Sequence, residues 1–265
     1  MTASPITAAL NEDRLNEAAS LAAAAVKAYP QDVTARQLLA SLAVLQGDLP
    51  RAETQASMAA RLAPDEAVSL GLFRQHLRGL HARDAWWRDG AVPTFPGGAS
   101  DADKAAVALN IALRAGDDAA VAQAFETLET LRGTRPGQWN GAAVDDLRDL
   151  DDRMPHAIEA VSAGGNYMWI DMARIARMTL RPVASPLDLV LRPARVALRD
   201  GAEADLVLPA IYPFPETPAQ QLGRETGFSE SHGVMIGQGQ RAWLAGDEMQ
   251  GFLSAETIGF GGGDG

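Results

Sequence analysis

The chain has 265 residues, 47% of them apolar and 22% charged, a globular mixture long enough for one large domain or two smaller ones. Its 23 basic and 34 acidic side chains leave a formal charge of −11, which disfavours phosphate backbones and anionic lipid and steers in basic proteins. There is no cysteine, so disulfides, thiolate catalysis and Cys-based zinc or iron–sulfur sites are excluded, and a reducing cytosol fits.

The opening MTASPITAALNEDRL has no basic segment followed by an apolar core, and the apolar run 21–26 is too short to cross a bilayer. The expectation is a cytoplasmic protein. A repeat follows. Tyr29-Pro30-Gln31-Asp32 is answered by Ala63-Pro64-Asp65-Glu66, with the two prolines 34 residues apart, and the same offset relates Ala18 to Ala52, Ala22 to Ala56 and Ala25 to Ala59. Gly47-Asp48 separates helical stretches at 33–46 and 49–62. The pattern resembles the tetratricopeptide repeat, in which two antiparallel helices cross at small residues and proline closes each unit. A weaker third hairpin spans 105–114 and 119–132 around Gly116-Asp117. Between the hairpins, 70–89 reads as a helix carrying Trp86 and Trp87, packed against the repeats, and 92–100 reads as a loop.

Turns become frequent near Gly133, 142–152 reads as a short acidic helix, and strand patterns begin after Gly164-Gly165. Residues 166–170 are suited to a pleated surface. Arg195, Ala197 and Arg199 alternate with Val196 and Leu198, Asp200-Gly201 makes a hairpin turn, and 205–208 returns with Leu206 and Leu208 inward. Another strand is expected at 242–244. The fold class is therefore α+β: tetratricopeptide-like helical hairpins over 1–160, a small, mainly antiparallel β domain over 161–258, and a flexible glycine-rich tail over 259–265.

Catalysis has no specific foothold. His76 and His81 are five apart on a helix and diverge, no HExxH occurs, and neither His156 nor His232 sits in a ligand pattern. The run Asp145, Asp146, Asp149, Asp151 and Asp152 lacks the glycine and bidentate glutamate of a calcium loop and reads as a solvated helix face paired with Arg148 and Arg153. Gly237-Gln238-Gly239 has neither the third glycine of a dinucleotide loop nor a following Lys-Ser/Thr, and reads as a turn between strands. No catalytic residue, metal ligand or cofactor is assigned. Two aromatic tracts, one with Tyr167 and Trp169 and one with Tyr212, read either as core packing or as an exposed ledge for a partner.

The ordered series Asp149-Leu150-Asp151-Asp152-Arg153, Tyr167-Met168-Trp169-Ile170, Pro186-Leu187-Asp188-Leu189, Arg192-Pro193-Ala194-Arg195, Leu208-Pro209-Ala210-Ile211-Tyr212 and Gly246-Asp247-Glu248 resembles the ImpE family, also called TagJ. Leu191, Met168 and Asp171 depart from its usual residues. The resemblance implies a non-catalytic accessory protein of type VI secretion that binds the N-terminal segment of the small contractile-sheath subunit and is linked to the AAA+ disassembly ATPase ClpV. Independently, a helical-hairpin stack offers a concave face to a partner segment. On the second repeat that face is expected to present Thr34, Gln37, Ser41 and Val44. The competing expectation is a small-molecule-binding protein or enzyme with its site between the two halves.

Overall fold

The structure, a computed structural model, describes residues 4–261. Seven helices come first: α1 (Pro5–Asn11), α2 (Leu15–Ala28), α3 (Val33–Leu45), α4 (Leu49–Leu62), α5 (Ala67–Asp89), α6 (Asp101–Ala115) and α7 (Asp118–Arg132). Their starts follow from local chemistry. The side chains of Asp32, Asp48, Ser100 and Asp117 each accept a backbone N–H of the first turn of α3, α4, α6 and α7, satisfying donors that have no partner inside a helix. Gly47 and Gly116 turn the chain between paired helices with φ of 75° and 68°, a region costly for residues with a Cβ.

The repeat is real in three dimensions. Ala18, Ala22, Ala52, Ala56 and Ala59 are buried where the helices cross. The Tyr29-Pro30 turn is tied to α3 by Arg36, whose guanidinium donates to the Pro30 carbonyl at 2.6 and 2.9 Å and to Gln55 Oε1 on α4 at 2.9 Å. No described helix is long and apolar enough to cross a membrane.

Strands follow: β1 (Gly137–Trp139), β2 (Ala142–Val144), β3 (Leu147–Asp149), β4 (Ala157–Ser162), β5 (Tyr167–Asp171), β6 (Ile175–Leu180), β7 (Leu191–Leu198) and β8 (Glu203–Pro209). After a one-turn helix, α8 (Pro218–Gln221), come β9 (Thr226–Ser231), β10 (Val234–Gly239), β11 (Ala242–Ala245), β12 (Glu248–Gly251) and β13 (Thr257–Phe260). Eight of these form one sheet in the order β2-β1-β13-β6-β7-β8-β4-β5, with every neighbouring pair antiparallel. A β9–β10 hairpin and a three-stranded β12-β11-β3 sheet complete the α+β fold.

The helix-to-strand change falls between Arg132 and Gly137 rather than near residue 160. The acidic stretch 142–152 is not a helix but β2, β3 and a turn. Asn140 and Gly141, with φ of 50° and 85°, reverse the chain between β1 and β2, and β3 pairs with β11. The Asp146 carboxylate accepts the Arg135 N–H at 2.7 Å and pairs with Arg132, so tertiary bonds override the weak helical preference of so short a segment. Gly237-Gln238-Gly239 runs within β10 instead of turning, and Gly237 lies flat against the Tyr212 ring. Of the expected tail, Gly259 and Phe260 belong to β13, where Phe260 is buried, and 262–265 lie outside the described residues.

The halves share one apolar cluster. Trp86 and Trp87 of α5 meet Trp169 of β5, with the Trp86 and Trp169 rings 5.1 Å apart edge to face, so the tryptophans that pack against the third hairpin, α6 and α7, also seal the seam with the sheet. Next to them Gly79 lets α5 approach β4, because a Cβ there would sit 2.2 Å from Val161 Cγ1. Gly79→Ala is expected to cost about 1–3 kcal/mol by overpacking, despite the better helix propensity of alanine, and Val161→Ala added to it should recover part of the loss. Thermal denaturation of the wild type and the two variants checks this; a G79A protein as stable as the wild type would contradict the packing.

Candidate functional site

Where the halves meet, a set of ionised side chains is sealed in the interior. Glu159 on β4 is fully buried and accepts from Arg83 of α5 through Nε and a terminal nitrogen, both at 2.8 Å, from Trp87 Nε1 at 2.8 Å, and from the Tyr167 hydroxyl. Arg241, immediately before β11, donates to both Glu159 and Asp149. Asp149 also accepts from the Tyr212 hydroxyl at 2.7 Å and from the Asp151 N–H at 2.9 Å. Asp151 holds Arg153 and the Gly237 N–H, and Arg153 lies 4.5 Å over the Trp87 ring. Three carboxylates face three guanidinium groups, so the cluster is neutral as a whole and its lone pairs are occupied.

Burial and charge pull the titrations in different directions. For Glu159 burial alone would raise the pKa, but Arg83 and Arg241 outweigh it and hold the carboxyl at about 2. For Asp149 burial wins over Arg241, and the neighbouring Asp151 adds to it, so its pKa is raised. Burial beside carboxylates pushes both Tyr167 and Tyr212 well above the phenolic range. A carboxylate bound by two guanidinium groups, an indole and a phenol is poorly placed to move a proton to a ligand. Its geometry suits fixing α5 on the sheet.

Above this cluster runs a trough between α3 and α5. At one end Gln37, Ala40 and Ser41 of α3, Ala56 of α4, and Ser69, Leu70 and Phe73 of α5 line a hollow of about 180 Å³. At the other end lies a cleft of about 250 Å³, walled by Val44, Leu80, Arg83 and Trp87 on the helical side and by Ile211, Tyr212 and Phe214 on the other. Residues 69, 73, 76, 80, 83 and 87 recur at helical spacing, so one face of α5 serves both hollows. His76 sits on that face between them, and burial lowers its pKa. Phe214 stands at the rim of the cleft with 41% of its surface exposed and φ of 60°, under the Arg88 guanidinium at 4.5 Å. An aromatic residue in that backbone region costs about 1–3 kcal/mol and persists only where its surroundings hold it.

The expected partner-binding residues divide. Gln37 and Ser41 line the first hollow and Val44 lines the second, while Thr34, exposed at the start of α3, lines neither. Gln37 Nε2 donates to Glu66 at 2.8 Å, and the Ser41 hydroxyl bonds back to the Gln37 carbonyl at 3.0 Å. Tyr167, Trp169 and Tyr212 form no ledge. They are 3%, 1% and 0% exposed, because their polar ends are spent on Glu159, Tyr167 and Asp149 and their rings fill the seam. The acidic run is likewise not a solvated face, since Asp149 and Asp151 are buried; Arg148 and Arg153 do pair with the run, with Asp152 and Asp151 respectively. Among the described residues no cluster of three or more His, Asp or Glu could hold a metal ion. Sequence reasoning passed over Arg83, Glu159 and Arg241. The available signal was a lone charge inside an apolar strand, as in Ala157-Ile158-Glu159-Ala160-Val161, where burial demands a partner.

Known proteins agree with the resemblance read from the sequence. The ImpE protein family model matches residues 141–259. The type VI secretion system accessory component TagJ of Pseudomonas aeruginosa is 26% identical over 241 residues, covering 86% of this chain and 82% of that protein. A crystal structure of a Vibrio parahaemolyticus protein superposes with a TM-score of 0.91 at 27% identity, covering 98% of both chains, so helical front and β-rich back occur together there in the same arrangement.

The Glu159 pairing has a definite pH signature. Its pKa is about 2 when folded against an ordinary 4.5, so the stability it confers is fully present above pH 4.5 and is lost as the pH falls through about 2. Glu159→Gln is expected to lose about 3–5 kcal/mol at pH 7, leaving buried guanidinium uncompensated. The deficit should be clearly smaller at pH 3. Urea denaturation of both proteins at the two pH values tests it, and an equal deficit at both would rule the pairing out as the source.

Proposed function

We propose that this chain, whose back half is an ImpE domain, is a non-catalytic accessory protein of type VI secretion acting in the cytoplasm. In this reading it seats the N-terminal segment of the small contractile-sheath subunit in the α3–α5 trough and links that subunit to the ClpV disassembly ATPase. The observation that carries it is the trough itself, set on a scaffold shared over most of its length with a protein named as a type VI accessory component. Its first hollow is floored by Ala40, Ser41, Ala56 and Ser69, small residues that let a partner helix approach closely, with Leu70 and Phe73 to meet apolar side chains. The chain's charge of −11 draws in a basic partner.

The competing reading, a small-molecule site between the halves, has the 250 Å³ cleft in its favour. Against it, the carboxylate that lines the cleft is already committed: Asp84 is ion-paired with Arg88 at 2.8 Å. A cleft with a strained aromatic rim and no free base favours docking over chemistry.

Replacing Gln37 with Lys and Ser41 with Glu is expected to weaken binding of a synthetic peptide of the sheath subunit's N-terminal segment at least tenfold, about 1.4 kcal/mol. The melting temperature should hold within about 2 °C, since both positions are only half-buried. Titration calorimetry with thermal denaturation of the same samples decides it. Unchanged affinity in a folded double variant would remove the trough as the docking site.

A further inference from the structure

The trough is already partly filled by the chain itself. The connection between β6 and β7 leaves the sheet and lays one 3-10 turn, Pro186–Leu189, against α3. Leu187 and Val190 pack against the cluster of Ala43, Val44, Ala52, Ala56 and Leu77, which Phe73 and Leu80 also close. Leu189 and Val190 pack against the adjoining cluster that contains Leu39, Leu42 and Leu45. Three aliphatic side chains from a single turn thus occupy the concave face in the way a bound helical peptide would. The two open hollows border this filled stretch, and Val190 is part of the wall of the larger one.

The turn is held by few bonds. Asp188 accepts the Ala184 and Ser185 N–H groups at 2.9 and 2.8 Å, the Val190 N–H reaches Leu187 O at 3.0 Å, and the Ala210 N–H fixes the far end on Val190 O at 2.9 Å. Residues 181–185 leading into it are exposed. Apart from the Ala210–Val190 bond at the end of the β7–β8 ladder, the unit is closed by its own local bonds, so it can lift while the named strands and the helices stay paired.

We infer that residues 186–190 are an internal stand-in for the partner: the trough selects a helical turn with aliphatic side chains at positions one, three and four, as Leu187, Leu189 and Val190 present them, and the partner binds by exchanging with this turn. The inference rests on the adaptor reading but is separable from it.

Hydrogen–deuterium exchange on the full chain, with and without the synthetic N-terminal peptide of the small sheath subunit, makes the separation. Exchange predicts that amides of α3 and α5 gain protection while those of 186–190 lose it. Asp188→Ala, which loosens the turn without touching its aliphatic contacts, should then bind the peptide about threefold to tenfold more tightly. A peptide made from residues 183–192 of this chain should compete. If α3 and α5 become protected while 186–190 stay closed and Asp188→Ala binds no better, the exchange is overturned and the docking site survives. If α3 and α5 show no added protection, the docking site itself fails.

Discussion

Everything else in this protein hangs on one buried carboxylate. Glu159 lies at the seam, and its partners come from both sides: Arg83 and Trp87 from α5, Tyr167 and Arg241 from the β half. Separating the halves would leave that charge, and the guanidinium groups around it, without compensation in an apolar setting, at a cost of several kcal/mol each. An apolar seam of similar volume would be no less stable. The ionic one additionally demands a unique register, because the Arg83 fork meets Glu159 in one position of α5 along β4. Gly79 against Val161 enforces the same register sterically.

The consequence for function is that α5 has two jobs. Gly79, Trp86 and the Arg83 and Trp87 bonds to Glu159 fasten it to the sheet. Phe73 and Leu80, with the exposed parts of Arg83 and Trp87, supply a wall of the trough. A binding surface built on an element so firmly held is pre-organised, and association then spends little on ordering that wall. Because the three carboxylates and three arginines of the seam cancel, the chain's net negative charge lies elsewhere, where it affects encounter rates more than the fold.

Those parts of the structure that obey short-range rules were legible in the sequence. The 34-residue offset and the glycine turns at Gly47 and Gly116 marked α3, α4, α6 and α7, and period-two alternation with the Asp200-Gly201 turn placed β7 and β8. Long-range chemistry was not legible. Asp149 and Asp151 look like a solvated acidic face until β3 is paired with β11 and Arg241 arrives from 92 residues away. Tyr167, Trp169 and Tyr212 carry the same polar tips whether they sit on a surface or in a core, and only the position of Glu159 and Asp149 decides between the two. Half of the proposed site, Gln37, Ser41 and Val44, follows from helical register alone. The other half, from Arg83 to Phe214, is assembled by the packing of the two halves.

Stiffness at the seam also limits where a signal could go. With α5 locked, a ligand in the trough cannot readily rock the helical front against the sheet, since that would strain the whole cluster around Glu159. The cheapest response lies in a weakly held unit that shares the trough, the 186–190 turn, whose removal exposes three half-buried aliphatic side chains, each costing only part of the about 1.5–3 kcal/mol of full burial, unless a partner replaces their contacts. A partner that brings equivalent side chains recovers that cost, and one that does not is penalised by it. Specificity would then come from the exchange, with the rigid scaffold serving only to hold the two competitors to the same template.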